Sequence, residues 1–220
     1  MMKSIRTILL FCITLVLTSC FEIIEDVQVN QDGSGSLKYI VNFSQSSSKI
    51  KSLMLAGEVD GKKIPTEDEL LKDFEKICNT TKKAKGISEV AYSSDFDNYI
   101  FTYSAKFTSL KNVNAAIDSV KSDRGEEQLG FEYFNFDAST KTFKRQGDDM
   151  IEKLRAKMTS SQQLIFTGAT YTCLYRFYTE ISNVKPVGAS LSASKKNCFK
   201  KLYMSSFVWN GKLIDQEIHL

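Results

Sequence analysis

Apolar and polar positions along the chain keep two rhythms, one of period two and one of period three to four. Phe21, Ile23, Val27 and Val29 alternate, Asp32-Gly33-Ser34-Gly35 interrupts, and Leu37, Tyr39, Val41 and Phe43 take the alternation up again. Strand, turn chemistry and strand in that order predict a β-hairpin. Ser46-Ser47-Ser48 then precedes Ile50, Leu53 and Met54 on one face of a short helix. Thr66-Glu67-Asp68-Glu69 after Pro65 reads as a capping box. Leu70, Phe74, Ile77 and Cys78 follow at helical spacing, and Lys82, Lys83, Lys85 and Gly86 close the C-terminal end, where cations and glycine are favoured. Between the two helices, Val59 to Ile64 contains Asp60-Gly61 and reads as a surface loop.

A strand near Ile87 to Ser93, the polar Asp95-Phe96-Asp97-Asn98 and the alternating Tyr99, Phe101, Tyr103, Ala105 and Phe107 predict a second hairpin. Ser109 opens a helix with Leu110, Val113, Ile117 and Val120 on one side and polar residues on the other, the pattern of a helix lying on a sheet. Phe131, Tyr133, Phe134 and Phe136, with Phe143 beyond Asp137-Ala138-Ser139-Thr140, predict a third hairpin. A helix over Asp148 to Met158 carries Ile151, Leu154 and Met158 in register. The remainder turns to strand: Tyr171 to Ile181, Phe199 to Trp209, and a short last strand after the hairpin dipeptide Asn210-Gly211. Hairpins separated by helices predict an α+β fold, a mainly antiparallel sheet with helices packed on one side.

The first nineteen residues stand outside this scheme. Lys3 and Arg6 are followed by an apolar run from Ile8 to Leu17 and then by small residues, the layout of a secretory signal. The run is half of the ~20 residues that a spanning helix needs. Leu17-Thr18-Ser19-Cys20 reads as a lipobox, cut between Ser19 and Cys20, with the Cys20 thiol accepting a diacylglyceryl group. The expectation is a signal peptide over 1–19 and one mature α+β domain over 20–220, held to a membrane by palmitate-like chains on Cys20. Because the first hairpin begins almost at that cysteine, the domain is expected close to the bilayer. Phe21 is not the aspartate associated with inner-membrane retention, which predicts the outer membrane, facing periplasm or cell surface, in a Gram-negative cell.

Charge narrows the partners. The 29 basic and 26 acidic side chains become 27 and 26 once Lys3 and Arg6 leave with the signal. A nucleic-acid binder shows a concentrated basic patch; Lys82-Lys83 and Lys195-Lys196 are short and isolated, so no nucleic-acid partner is predicted. Cys12 leaves with the signal and Cys20 is acylated, so Cys78, Cys173 and Cys198 remain, free to form one disulfide among them or to stay as buried thiols.

Chemistry-bearing patterns are sparse. The single histidine, His219, is the penultimate residue, and the cysteines lack the close pairing and histidine partners of a zinc site. Asp32-Gly33-Ser34-Gly35 lacks the Lys-Ser/Thr of a phosphate loop, and Asp95, Asp97 and Asn98 lack the spacing of a calcium loop. Asp148-Asp149 fits the dipole of a helix start. No catalytic residue, metal or cofactor is therefore predicted. Aromatics on both faces of the late strands nominate Tyr133, Phe134, Tyr175 and Tyr178 as ligand-binding candidates, against the simpler alternative of packing beneath helices.

The lipobox cysteine running straight into a strand, the turn at 32–35, and the late Tyr171-x-x-x-Tyr175-x-Phe177 strand together resemble the LppM-type lipoprotein domains. The layout is also similar to uncharacterised envelope lipoproteins of the Bacteroidetes type. The chain departs from the LppM group in showing no evident C-terminal transmembrane segment. The resemblance implies an α+β body and recognition of a lipid or glycolipid at the cell envelope, with no residue role carried over. The leading expectation is a non-enzymatic, membrane-anchored lipoprotein that binds a lipid or other amphiphile. The alternative is a protein-interaction or structural module of an envelope assembly.

Overall fold

A computed structural model describes residues 21–59, 61–126, 132–156, 158–159, 166, 168–205 and 214–220. The signal segment, Ser19, Cys20, Phe131, Trp209 and Asn210-Gly211 lie outside the described residues. The strands are β1 (Glu22–Val29), β2 (Gly35–Asn42), β3 (Glu58–Val59), β4 (Lys62–Lys63), β5 (Ile87–Asp95), β6 (Ile100–Phe107), β7 (Phe134–Asp137) and β8 (Thr142–Arg145). They continue with β9 (Thr170–Phe177), β10 (Asn183–Lys185), β11 (Ser190–Leu191), β12 (Asn197–Tyr203) and β13 (Gln216–His219). The helices are α1 (Ser47–Ala56), α2 (Glu67–Lys83), α3 (Leu110–Asp123) and α4 (Asp148–Ala156).

The first hairpin forms as the alternation predicts, β1 antiparallel to β2. Asp32 holds its turn by accepting the Ser34 N–H at 3.0 Å and the Ser34 hydroxyl at 2.6 Å. Gly33 there takes φ +81°, the left-handed region that glycine enters without steric cost. A Cβ on Gly35 would fall 1.8 Å from the Gln28 carbonyl oxygen, which closes that position to any side chain. The second hairpin, β5 with β6, joins through β6 to β2. On the far side of β1 lie β9, β12 and β11, giving a seven-stranded sheet in the order β11-β12-β9-β1-β2-β6-β5. All its pairs are antiparallel except β1 with β9, which run parallel.

One face of this sheet carries two different covers. Over β2, β6 and β5 lie α2 and α3. The predicted capping box opens α2: the Thr66 hydroxyl accepts the Glu69 N–H at 3.2 Å, and the Glu69 carboxylate accepts the Thr66 N–H at 2.9 Å. Over β1 and β9 lies a second, four-stranded sheet in the order β10-β13-β8-β7. Phe143 of β8 is fully buried, its ring centroid 4.9 Å from that of Tyr175 and 5.4 Å from that of Phe177. Burying several such aromatics, each worth about 1.5–3 kcal/mol, is what joins the layers. The covers meet where Asn114 of α3 accepts the Phe134 N–H at 3.1 Å and donates to the Phe134 carbonyl at 2.7 Å. One buried amide thus satisfies a backbone donor and acceptor at the edge of the small sheet.

The α+β class stands, with two differences in detail. The β7, β8, β10 and β13 strands build a sheet of their own instead of extending the first, because their inward side chains, Phe143 and Ile218 among them, face the large sheet. The stretch read as a loop between the first two helices contains a two-stranded ribbon, β3 with β4. Of the two states open to the cysteines, the structure shows the buried thiols: Cys78, Cys173 and Cys198 are all free. The sheet register explains the nearest pair: Cys198 sits opposite Tyr175 and Cys173 opposite Lys200, so the two cysteines are diagonal neighbours. Diagonal positions lie about 7–8 Å apart, beyond the ~4.4–6.8 Å that a bridge spans between Cα atoms.

Candidate functional site

Two features lie side by side under the covers, a closed cluster of charge and an open apolar cavity. The cluster centres on Glu25 of β1, which is 0% exposed. Arg145 of β8 reaches it from the small sheet, Nε at 2.9 Å from Oε1 and Nη2 at 2.9 Å from Oε2. Three phenols donate to the same carboxylate at 2.7 Å: Tyr39 and Tyr171 to Oε2, and Tyr175 to Oε1. The remaining guanidinium nitrogen, Nη1, donates to the Gln146 carbonyl, and the plane lies over the Phe134 ring at 4.8 Å.

Burial alone would raise the Glu25 pKa, but the Arg145 charge and the hydrogen bonds from Arg145, Tyr175 and Tyr171 overcome it and hold the carboxyl below its usual range. Burial, and then the Glu25 charge, push Tyr39, Tyr171 and Tyr175 well above the usual phenol value. The result is one carboxylate, one guanidinium and three neutral hydroxyls with their hydrogen bonds made. Such a group orders a core; its carboxylate is closed to any substrate.

The cavity lies between the large sheet and the two helices and has a volume of about 280 Å³. Leu37, Tyr39, Tyr103, Ala105 and Phe107 form its floor, and Ile77, Val113, Ala116 and Ile117 stand in its roof. It exists because small side chains, Ala105 below and Ala116 above, occupy buried positions where larger residues would fill the layer. Ile77, Ile117 and Val120 are half-buried, so the space opens between the helices. Tyr39 ties the two features together, since its ring lines the cavity while its hydroxyl donates to Glu25.

A distant structural neighbour of the chain is the NMR structure of the folded domain of LppM from Mycobacterium tuberculosis, at 12% identity and a TM-score of 0.40 over 90% of this chain and 87% of that one. No protein family matches the chain, and no curated protein sequence does.

The ligand-binding candidates read from the sequence do not line this cavity. Tyr133, Phe134 and Tyr175 are buried in the core and help fill the space between the two sheets. Tyr178 is half-buried just past β9, its carbonyl accepting the Lys196 ammonium at 3.1 Å. Aromatics are favoured as packing in this core because their area is large, and the aromatics that do line the cavity are others, Tyr39, Tyr103 and Phe107, beside aliphatic residues. Of the four, Tyr133 comes nearest: its ring lies beneath Lys121, which does line the cavity.

The other patterns take structural places. Asp95 accepts the Asn98 N–H at 2.9 Å and side-chain amide at 2.8 Å, closing a hairpin turn. Asp148 and Asp215 cap each other's segments, Asp215 accepting the Gly147 N–H at 2.7 Å and Asp148 the Ile214 N–H at 2.7 Å. His219 is held in β13, its Nε2 2.7 Å from Glu217 and its backbone paired with Thr142 of β8. Among the described residues no three His, Cys, Asp or Glu side chains gather as a metal cluster, and no helix is long and apolar enough to cross a membrane.

Proposed function

We propose that the chain is a non-enzymatic envelope lipoprotein, anchored through Cys20, whose folded part takes the apolar chain of an amphiphile into the cavity between the large sheet and helices α2 and α3. The observation that carries the reading is the cavity: about 280 Å³, near the lower end of the ~300–1,000 Å³ of small-molecule sites, and lined almost wholly by carbon. That volume suits one acyl segment and is well short of a two-chain lipid. A dry apolar space gains from taking up methylenes at about 0.8 kcal/mol each. The non-catalytic part of the reading is supported by the enclosure of the strongest ionisable cluster around Glu25.

Native mass spectrometry of the mature chain after mild extraction tests this. A co-purified amphiphile is expected, lost in Ala105→Leu and Ala116→Leu, whose added carbons occupy the space. A parent protein that carries no amphiphile and gains no thermal stability from added single-chain lipids would sink the reading. Anchoring is tested separately: Cys20→Ser is expected to leave the membrane fraction, and its retention there would refute the lipid anchor.

The second reading, a protein-interaction module of an envelope assembly, is favoured by one observation. The β11–β12 edge of the large sheet exposes Leu191 at 42%, Phe199 at 42% and Tyr203 at 62%. Cross-linking from residue 199 in cells, with recovery of a stoichiometric partner, would support it.

A further inference from the structure

We infer that the amphiphile held in the cavity carries an anionic head group and that Lys121 is the residue that selects it. The inference rests on the acyl-chain reading above and adds the chemistry of the head. Lys121 is the charged side chain in a lining otherwise made of apolar residues, Tyr39, Thr81 and Tyr103. The hydroxyls of those three turn inward: Tyr39 donates to Glu25 at 2.7 Å, Thr81 donates to the Ile77 carbonyl at 2.8 Å, and Tyr103 is hydrogen-bonded to Thr81. Lys121 is half-buried, so its stem belongs to the cavity wall while its ammonium stands where the apolar space meets water.

Three further features bear on that ammonium. It lies 5.4 Å from the centroid of the Tyr133 ring, which fixes its position and leaves its N–H donors available. It belongs to the last turn of α3, where the helix dipole favours positive charge. Among the described residues, three acids of this region have other partners: Arg124 lies 3.9 Å from Asp73 and 2.9 Å from Glu126, and Asp123 accepts from Thr80. A neutral head group would leave the ammonium to water. A carboxylate or phosphate there forms charge-assisted hydrogen bonds, the stronger class.

The test uses the mature chain, residues 20–220, with Cys20→Ser, so that no detergent competes; every described residue is retained. Dodecanoate, dodecyl phosphate and dodecanol are titrated below their micelle concentrations by calorimetry. Both anions are expected to bind about tenfold or more tighter than the alcohol, the scale of a hydrogen bond to a charged group. The tighter of the two names the head group. Lys121→Met is expected to remove the difference and leave dodecanol binding unchanged, and Lys121→Glu to reverse the order. Equal binding of alcohol and anions, or a preference that survives in Lys121→Met, overturns the inference and leaves the cavity reading in place. No binding of any of the three overturns both.

Discussion

Glu25 and Arg145 stand 120 residues apart in the chain and meet in a two-pronged ion pair between the two sheets, with Nε 2.9 Å from Oε1. Both side chains are sealed from solvent, 0% and 4% exposed, so each charge is tolerable only because the other is there. Arg145→Met therefore leaves a buried carboxylate facing three phenols, and a loss of about 3–5 kcal/mol is expected in urea unfolding. Glu25→Leu combined with Arg145→Met is expected to cost less than the sum of the single changes, since the double variant strands no charge. It will still fall below the parent, because the phenols of Tyr39, Tyr171 and Tyr175 lose their acceptor. A double variant as stable as the parent would show those hydroxyls to be without consequence.

Acid should reveal the same carboxylate. The folded Glu25 pKa lies below its unfolded value, so the unfolded chain binds the proton more readily as pH falls. The contribution to stability is complete above the ordinary glutamate range, about 4.3, and is lost as pH drops through the folded value. Exposed turn acids such as Asp32, Asp95 and Asp137 are also lowered and add to the slope. The readout is accordingly the difference in Tm between parent and Glu25→Gln from pH 7 down to pH 3: constant to about pH 5, then shrinking. A difference that does not change with pH contradicts the assignment.

Asn114 gives a sharper probe of how the helical cover and the small sheet are joined. Asn114→Leu keeps the volume roughly but leaves the Phe134 N–H and carbonyl without their partner. A loss of about 1–3 kcal/mol is expected from that unpaired backbone, together with faster amide exchange at Phe134. Unchanged exchange would mean that the edge is held by something else.

The thiols are expected to be silent in the folded protein. Burial pushes Cys173 up to about 12 and Cys198 up to about 11, and Cys78 is raised as well. At pH 8 none carries much thiolate, which is the reactive form. Labelling followed by mass spectrometry should modify Cys173 and Cys198 only at the rate of unfolding, with Cys78, the least shifted, ahead of them. Fast labelling of Cys173 in native buffer would contradict its enclosure.

Much of the secondary structure was legible because its causes are local. The capping box at Thr66, the turn at Asp32 and the alternation of β6 each need only near neighbours, and each took its predicted place. The charged cluster left a trace that the alternation alone does not interpret. Glu25 occupies the inward phase between Ile23 and Val27, and Arg145 the inward phase two residues after Phe143. A single charge in an apolar phase reads as an exception; two of opposite sign on separate strands are a pair in waiting. Their partnership was hidden because it depends on one sheet lying over another, a relation between distant segments with no short-range signature. The cavity was harder still, since Ala105 and Ala116 look like ordinary core residues, and what they do together appears only when a helix crosses a strand.

The position of β1 has a mechanical consequence. Residue 22 enters the interior of the large sheet, with β2 on one side and β9 on the other along the whole strand. A pull applied at residue 21 along that strand loads both flanking ladders in shear, so many hydrogen bonds must fail together, whereas a terminal edge strand would unzip one bond at a time. Stretched from its N-terminus against residue 220 in a single-molecule experiment, the protein is expected to yield at a higher force than when peeled from β11. A chain fastened at that end would be built to withstand tugging.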